Sequence, residues 1–450
     1  MGEELKLKDG SSVAVIGGGP AGSFFSIHAL NLARSRGWKL KLTIFDRKFF
    51  EDCGPLGCNM CAGAIGSGLV GRLQQLNLPL PPNVVRHEIK GYVFHAFENF
   101  AALHGGPEEK IYTVFRGAGP LRRDADQDKV SFDQHLLNVA ASMGAEVLHE
   151  GVNEVVLPSQ KGERALIKYG GGRGIYETDL LVGAFGVNTR MTERLPFGYR
   201  PPETWHTCQA EIEVGRAFNR EVLQDMIHIF SPLGSGLIFS ALTPKGDYLT
   251  VTGIGEHVKI KDLLREMDSS EMGRFLPREW SILCHCHPRV PVTSAERPFT
   301  DRLVIIGDAN CSRFLKSGIE SAYFTAFFAA DTAFRKGISK EDFALHYHSR
   351  CRSMFGRDNW YGKLMFTLHR LASSNRVLSR SYLEVVKREQ SRPNDASRIL
   401  SHVLWYMFTG DAPYKKIFFQ ILRPRLLWRL GQTTAENLSP LSSRAGDRPL

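Results

Sequence analysis

The chain has 450 residues, enough for two or three domains, and 43% of them are hydrophobic, which is ample for sizeable cores. Its net charge of +10 suits an anionic membrane or an acidic substrate, and equally a solvated basic surface, while no recognised motif supports nucleic-acid binding. Residues 1–12 are polar and indicate no signal peptide, and the longest uncharged apolar stretches, 321–330 and 399–410, fall short of the about 18 residues of a membrane span. Eight cysteines without a signal favour a reducing, cytoplasmic setting.

The first predicted element is a buried strand over residues 13–16, which leads directly into Gly17-x-Gly19-x-x-Gly22. In such a motif Gly17 allows the tight turn, Gly19 lets the backbone approach a pyrophosphate, and Gly22 lets the following helix pack on the strand. Pro20 opens that helix, whose N-terminus is suited to phosphate. The pattern predicts a dinucleotide site, with a purely structural strand–helix turn as the alternative.

A second strand, over 39–45, ends at Asp46. A carboxylate at this place can accept hydrogen bonds from both hydroxyls of an adenosine ribose. The strand therefore supports the dinucleotide interpretation.

The next segment is a loop with three cysteines, Cys53, Cys58 and Cys61, interleaved with Gly and Pro. The spacing matches part of an iron–sulfur pattern, but a fourth ligand is not near in the sequence. A redox-active or catalytic thiol and a set of inert packed thiols remain open as interpretations. We predict no metal site here or at the Cys-His-Cys-His run over 284–287, where too few ligands share one face.

Periodicity, caps and turn residues predict the elements up to residue 190. They are a helix over 64–78, strands within 85–115, a turn at Arg116, a helix over 131–143 with Ser131 as N-cap, a strand from Gly144, a sheet over 152–157 and 164–169 with a Gly-rich hairpin at 170–174, and a buried strand with a tight turn over 179–190.

The second half of the chain changes character at about residue 200. Alternating stretches over 200–284 predict a largely antiparallel sheet. Its apolar residues Phe230, Leu237, Phe239 and Leu242 are candidates to line an apolar tunnel, with an ordinary sheet core as the alternative.

Further on, an apolar strand ends in Gly307-Asp308, and a helix begins near Gly318 and runs to about 334. Residues 340–430 are predicted to be mostly helical, and 432–450 to be a disordered tail. Within the helical part, 415–429 combines five cations with Phe, Leu, Ile and Trp. Such a segment can lie in a membrane interface or dock on the protein with its arginines outward, and both interpretations stay open.

Three segments recur in one order: the glycine motif, a mid-chain strand that ends in a Gly-x-Gly turn, and a strand that ends in Gly-Asp. With this order the chain resembles flavoproteins of the para-hydroxybenzoate hydroxylase fold, and among them the geranylgeranyl reductase family. The resemblance covers about residues 10–335 and includes Cys61-Ala-Gly63, Phe132-Asp133 and Lys316-Ser-Gly-Ile319.

The resemblance implies FAD as cofactor. Gly17, Gly19, Pro20, Ala21 and Gly22 would hold its pyrophosphate, Asp46 with Arg47 the adenosine side, Arg116 (or alternatively Arg122) a place near the FAD, Gly307 and Asp308 the ribityl chain, and the Gly318–Ile319 backbone the flavin N1 and O2.

The implied fold class is α/β (α+β overall), a Rossmann-like FAD-binding domain interleaved with an antiparallel-sheet substrate domain, plus a C-terminal helical region. The expected boundaries are FAD-binding parts over 1–88, 117–199 and 285–338, substrate-domain parts over 89–116 and 200–284, the helical region over 339–431, and the tail over 432–450.

The expected activity is reduction of carbon–carbon double bonds of an isoprenoid or other lipophilic substrate, with Cys61 as the catalytic candidate for proton delivery or redox gating. Phe185-Gly186 stands where hydroxylases of this fold usually carry Asp-Gly, which argues against an NAD(P)H-dependent hydroxylase and leaves the donor open between NAD(P)H and a ferredoxin- or flavodoxin-type protein. A monooxygenase acting on a lipophilic aromatic or polyketide-like substrate and a membrane-associated electron-transfer flavoprotein are the alternatives. Peripheral contact with the inner face of the membrane would pass through 415–429.

Overall fold

A computed structural model describes residues 5–121, 128–158, 163–231, 236–269, 271–392 and 397–438. The strands, in chain order, are β1 (Ser12–Ile16), β2 (Lys41–Phe45), β3 (Ala64–Ile65), β4 (Val85–Ile89), β5 (Gly91–Ala96), β6 (Asn99–His104), β7 (Ile111–Val114), β8 (Glu146–Leu148), β9 (Val152–Val156), β10 (Ala165–Tyr169), β11 (Gly174–Thr178), β12 (Leu180–Gly183), β13 (Thr204–Glu213), β14 (Met226–Phe230), β15 (Leu237–Lys245), β16 (Tyr248–Gly255), β17 (Ile282–Cys286), β18 (Arg289–Pro291), β19 (Phe299–Thr300) and β20 (Leu303–Ile305).

The α-helices are α1 (Pro20–Arg34), α2 (Ser67–Gln75), α3 (Phe132–Ser142), α4 (Arg216–Glu221), α5 (Ile260–Met267), α6 (Gly318–Arg335), α7 (Lys340–Asp342), α8 (Ser349–Cys351), α9 (Asp358–Ser373), α10 (Arg376–Gln390), α11 (Ile399–Thr409), α12 (Tyr414–Ile421) and α13 (Pro424–Leu438). None of the helices in the described ranges is both long enough and apolar enough to cross a membrane.

The first sheet has the order β19-β20-β12-β1-β2-β8, and every pair in it is parallel except β19 with β20. Strand β1 is buried along its whole length because both faces of the sheet are covered: Val13 and Val15 share a core with α1 and α6, and Ala14 and Ile16 share another with β9 and β10. The carboxyl ends of β1, β2, β12 and β20 therefore meet at one edge, the usual position of a ligand in such a sheet.

The second large sheet has the order β17-β13-β16-β15-β14-β5-β6, with β18 paired to β13. The predicted antiparallel character is confirmed, except that β5 pairs with β14 in parallel. The sheet continues through β17 and β18 to Pro291, past the expected boundary at residue 284.

The smaller sheets are β11-β10-β9 and β3-β7-β4. The glycine-rich turn at 170–172 joins β10 to β11, whereas β9 and β10 pair directly. The predicted helix over 131–143 is confirmed as α3, and the Ser131 side chain accepts a hydrogen bond from the backbone N–H of Gln134, at 3.0 Å.

The C-terminal helices pack on the second sheet. Phe366 of α9, together with Trp405 and Phe408 of α11, shares a core with Tyr92 and Phe239 of that sheet. Helix α13 then packs along α10.

The prediction of a disordered tail from residue 432 is wrong for 432–438, because α13 continues to Leu438. Polar contacts with α10 hold this end of the helix, since Arg388 pairs with Glu436 at 2.9 Å and Asn437 donates to Glu384 at 3.0 Å. Residues 439–450 lie outside the described part of the chain.

Candidate functional site

The glycine motif fixes how α1 joins the parallel sheet. Gly17 has φ +109°, and a Cβ there would lie 2.5 Å from the carbonyl oxygen of Ala184 at the end of β12. A Cβ on Gly22 would lie 1.8 Å from the carbonyl oxygen of Gly17. Any larger residue at either position would therefore push α1 away from the strand ends.

The N-terminus of α1 is built to receive an anion. Its N-cap is Gly19, no side chain caps the first turn, and Pro20 occupies the first helical turn. The unpaired N–H groups and the positive end of the helix dipole attract phosphate oxygens at such a terminus.

Asp46 lies directly beside this turn, at the end of β2. Its carboxylate accepts hydrogen bonds from the backbone N–H of Gly18 at 2.7 Å and of Lys48 at 2.9 Å. Each oxygen makes one of these bonds and keeps a lone pair for a ligand hydroxyl. Burial raises the pKa of Asp46, against the opposing effect of these two hydrogen bonds.

Lys48 adds a cation beside the turn, and its Nζ donates to the carbonyl oxygen of Cys58 at 2.6 Å. Burial lowers the pKa of this lysine. Arg47, its neighbour, is exposed and lines the same space.

Arg116 is held by Asp133 of α3, and its Nη2 donates to Oδ2 of that carboxylate at 2.9 Å. The Asn59 side chain donates to the same oxygen, and a Cβ on Gly19 would lie 3.8 Å from it. Burial alone would lower the pKa of Arg116, but the Asp133 charge outweighs it and the pKa rises. Arg116 thus neutralises a buried carboxylate next to the Gly17–Gly19 turn and the N-terminus of α1, which together we call the anion cradle. Arg122, the alternative, lies outside the described residues.

Asp308 follows β20 and faces the start of α6. A Cβ on Gly318 would lie 3.7 Å from its Oδ1, and that oxygen is buried without a hydrogen-bond partner among the described residues. Burial raises the pKa of Asp308, while Arg116 and a hydrogen bond with Ser312 act in the opposite direction. A buried oxygen without a partner is costly, so this carboxylate is ready to accept a hydrogen bond from a ligand hydroxyl.

The N-terminus of α6 faces the same space as Asp308. Its N-cap, Ser317, has a left-handed backbone with φ 52° and no side-chain cap to the helix. Because the first N–H groups of α6 are uncapped, the Gly318–Ile319 backbone can stabilise negative charge on a ligand, by about 0.3–2 kcal/mol.

One cavity of about 1450 Å³ joins these groups. It is larger than the roughly 300–1,000 Å³ of a usual small-molecule site, so it has room for a second ligand beside a dinucleotide. All of the predicted cofactor residues line it except Gly22 and Gly307, which support the turns behind it, and Cys61 lines it as well.

The far part of the cavity is an apolar chamber between the second sheet and α11. Its apolar wall is formed by Tyr92, Ile227, Ile229, Phe239, Ile254 and Phe408. Of the four residues predicted for a tunnel wall, only Phe239 lies in it. Phe230, Leu237 and Leu242 pack in a separate core on the other face, and a bulge in the pairing of β15 between Leu237 and Phe239 separates these two neighbours.

The cysteine loop lies between the cavity and β17. Cys61 lines the cavity, and its sulfur accepts a hydrogen bond from the backbone N–H of Gly63 at 3.4 Å. Burial raises the pKa of Cys58, and it raises that of Cys284 on β17 to about 12, so both remain protonated at neutral pH. In the described residues no group of three or more His, Cys, Asp or Glu is placed to hold a metal ion.

The sequence did not predict a role for Lys48, and it gave Lys316 only as part of the segment Lys316–Ile319, although both lysines line the cavity. Lys48 follows the acidic end of β2 by two positions, which was an available signal for a cation near a phosphate. The sequence near Lys316 does not predict the two aromatic residues beside it, because they belong to β15 and α11.

The chain was then compared with known proteins, and no protein-family model matches it. Digeranylgeranylglycerophospholipid reductase 2 of Methanothermobacter thermautotrophicus is 25% identical over 359 residues, which span 77% of this chain and 84% of that protein. The crystal structure of a geranylgeranyl bacteriochlorophyll reductase-like protein from Thermoplasma acidophilum has a TM-score of 0.62 at 16% identity, over 94% of this chain and 99% of that one. A mutant of halogenase PltM in complex with FAD has a TM-score of 0.59 at 12% identity, over 95% of this chain and 96% of that one.

The relatives and the shared fold confirm the resemblance to geranylgeranyl reductases and the α/β fold class. They also confirm the prediction of an FAD-dependent oxidoreductase.

Proposed function

We propose that this FAD-dependent oxidoreductase reduces carbon–carbon double bonds in an isoprenoid or other lipophilic chain. The observation that carries the proposal is the single cavity, which connects the anion cradle of α1 to an apolar chamber beside the N-terminus of α6. The curated relative, named as a reductase of a digeranylgeranyl lipid, supports the same substrate class.

We assign the FAD contacts to residues of the anion cradle, of the end of β2 and of the start of α6. The backbone of Gly17, Gly19 and Gly22, with Pro20 and Ala21, holds the pyrophosphate, Asp46 and Arg47 the adenosine side, Gly307 and Asp308 the ribityl chain, and Gly318 and Ile319 the flavin ring. Arg116 serves indirectly, since it keeps the Asp133 carboxylate from repelling the phosphates.

The bound flavin supplies hydride transfer from N5. The protein has to place an alkene against that atom, exclude water and provide a proton. The apolar chamber meets the first two needs, because its aliphatic and aromatic side chains bind a hydrocarbon chain, and the bound chain displaces water. Cys61, at the rim, is the proposed catalytic side chain of the loop, for proton delivery or redox gating.

The electron donor is NAD(P)H or a reduced ferredoxin- or flavodoxin-type protein. Phe185 lines the cavity at the turn where, by the resemblance, hydroxylases of this fold carry a carboxylate, and the donor stays open between these two classes.

The decisive experiment follows the flavin of the purified holoprotein after anaerobic photoreduction. Prenylated lipids and quinones are added in turn, flavin reoxidation is recorded, and product masses are measured. We expect reoxidation by a prenylated lipid, with a gain of two hydrogens on its chain. Reoxidation by oxygen alone, with one oxygen atom added to a product, would replace the reductase by a monooxygenase.

A matched pair of variants tests the chamber. Ala241→Phe fills its wall, whereas Ala217→Phe adds the same bulk on exposed α4. We expect the first to abolish reoxidation by the lipid while FAD stays bound, and the second to behave like the native protein.

We also propose peripheral membrane contact through α12 and α13. Phe419, Leu422, Leu427 and Trp428 are exposed there, beside the basic residues of 415–429. Aromatic side chains and cations together bind anionic lipid surfaces, and the electrostatic part weakens with salt. Cosedimentation with anionic liposomes at low salt that is lost on charge-neutral liposomes supports this contact, and no cosedimentation at low salt contradicts it.

A further inference from the structure

Lys316 occupies an unusual place in the cavity wall. It precedes α6 by two residues and stands between Leu315, with φ 58°, and Ser317, with φ 52°. Left-handed backbone at non-glycine residues is costly and persists where the surroundings hold it. Here Ser317 Oγ donates to the carbonyl oxygen of Thr409 at 2.8 Å, which fixes the segment against α11. The backbone that carries the Lys316 side chain is therefore held in place.

The ammonium of Lys316 lies between two aromatic rings of the apolar chamber. Its Nζ is 4.6 Å from the ring centre of Phe239 and 4.7 Å from that of Phe408. No carboxylate of the described residues pairs with it. Such rings attract a cation but offer it no proton acceptor. Burial lowers the pKa of Lys316 to about 7.

The titratable groups around Lys316 leave its charge uncompensated. On α9, burial lowers the pKa of His369 to about 4, so that side chain is neutral. On α6, Glu320 pairs with Arg72 at 3.0 Å. After α11, Asp411 accepts a hydrogen bond from Ser67 at 3.3 Å, and burial raises its pKa to about 6. These carboxyl groups are engaged with α2, and neither of them forms an ion pair with Lys316.

We propose that Lys316 is the proton donor for reduction of the substrate double bond. This rests on the proposed function. One alkene carbon gains a hydride from the reduced flavin, with both electrons, and its neighbour forms a C–H bond with a proton from the Lys316 ammonium. The π bond breaks, the amine is left neutral, and water reprotonates it. This assigns proton delivery to Lys316 and leaves redox gating to Cys61.

The first test measures the proton affinity of Lys316 without turnover. Competitive acylation of the holoprotein over a pH range, read by mass spectrometry, gives the titration midpoint of each lysine. We expect a midpoint near 7 for Lys316. A midpoint above 10 for Lys316 would refute the assignment, because an ammonium held that firmly is a poor acid.

The second test compares variants in single turnover, from photoreduced flavin to reoxidised flavin. Lys316→Met and Lys316→Arg should both slow reoxidation by the lipid about 10²–10⁴-fold, the usual range for a lost general acid. Arginine keeps the charge but does not release a proton. Lys261→Met, at an exposed position of α5 outside the cavity lining, is the control and should match the native rate. In the native protein the rate should fall as pH rises through about 7, and this dependence should vanish in Lys316→Met.

The outcomes separate the two proposals. If the native protein transfers no hydrogen to any prenylated lipid, the proposed function fails and the proton-donor role fails with it. If the native protein turns over and Lys316→Met matches it, only the assignment of Lys316 is wrong. A native rate in Lys316→Arg also overturns the assignment, since it would make Lys316 an electrostatic anchor.

Discussion

Asp308→Ala tests the cofactor assignment most directly. The native carboxylate has one buried oxygen that finds no hydrogen-bond partner in the described part of the chain, next to the start of α6. A ribityl hydroxyl that donates to it would make a charge-assisted hydrogen bond, and loss of such a bond costs about 1.5–3 kcal/mol. This corresponds to an FAD dissociation constant about 10- to 150-fold larger.

The same substitution weakens FAD binding but should not lower the stability of the flavin-free protein. The pKa of Asp308 is raised in the folded state, so the folded chain binds more protons than the unfolded chain above the ordinary value of 3.8. Stability therefore falls as the pH rises through the raised pKa. Asp308→Ala removes this buried charge, and the flavin-free variant should be at least as stable at neutral pH as the native chain.

The assay is titration of deflavinated protein with FAD, read by quenching of flavin fluorescence, together with thermal unfolding of the flavin-free form. Glu341→Ala removes an exposed carboxylate outside the cavity and is the control. Equal FAD affinity in Asp308→Ala and the native protein would refute the assignment. Lower stability of the flavin-free variant would refute the account of the unpaired oxygen.

Three further predictions follow from named contacts. Gly22→Ala should abolish FAD binding and lower the melting temperature, because the added Cβ would lie 1.8 Å from the carbonyl oxygen of Gly17. Gly71→Ala is the control and should bind FAD normally, since no atom lies within 4 Å of its added Cβ. Equal FAD binding by the two variants would contradict this account of the packing. Cys61→Ala should change flavin reduction or turnover, measured by stopped flow, and native values for both would remove this residue from the mechanism. Lys316→Met should stabilise the protein at neutral pH by at most about 5 kcal/mol, since the pKa of Lys316 falls from 10.5 to about 7 on folding, at about 1.4 kcal/mol per pH unit. Native stability rises between pH 7 and 10.5, where the unfolded chain binds the extra proton, and chemical unfolding across this range should show that slope in the native protein but not in the variant.

The cofactor half of the site was predictable because its requirements are local. The turn Gly17–Gly22 combines a strand end, close packing and a helix start within six residues, and the backbone leaves no room for a side chain at Gly17 or Gly22. Asp46 and Asp308 could be placed at the same edge of the parallel sheet from the sequence, since Asp46 directly follows β2 and Asp308 comes three residues after the end of β20. The sequence pattern thus predicted where these residues lie along the chain, but it did not predict that Asp133 pairs with Arg116.

The substrate half was predicted as a sheet but not residue by residue. A bulge in β15 turns Leu237 away from Phe239, and alternation alone places these two residues on one face. The other ring beside Lys316 belongs to Phe408 of α11, for which no local signal exists. Contacts between residues that only tertiary packing brings together cannot be predicted from the periodicity of the sequence.

The segment 310–317 explains why the C-terminal helices matter to the site. In place of a glycine-rich continuation it contains bulky residues, two of them with left-handed backbone, so it needs support from outside. Buried Arg313 pairs with Asp358 of α9 at 2.9 Å, and the Tyr414 hydroxyl donates to the carbonyl oxygen of Phe314 at 2.7 Å. Helix α11, which completes the apolar chamber, also holds the start of α6, because the carbonyl oxygen of Thr409 accepts a hydrogen bond from Ser317. Helices α9 and α12 hold the segment just before it. Phe314 shares one core with residues of α9, α11 and α12, so the same packing supports the start of α6 and the apolar chamber, and Lys316 reaches from this segment to the rings of Phe239 and Phe408.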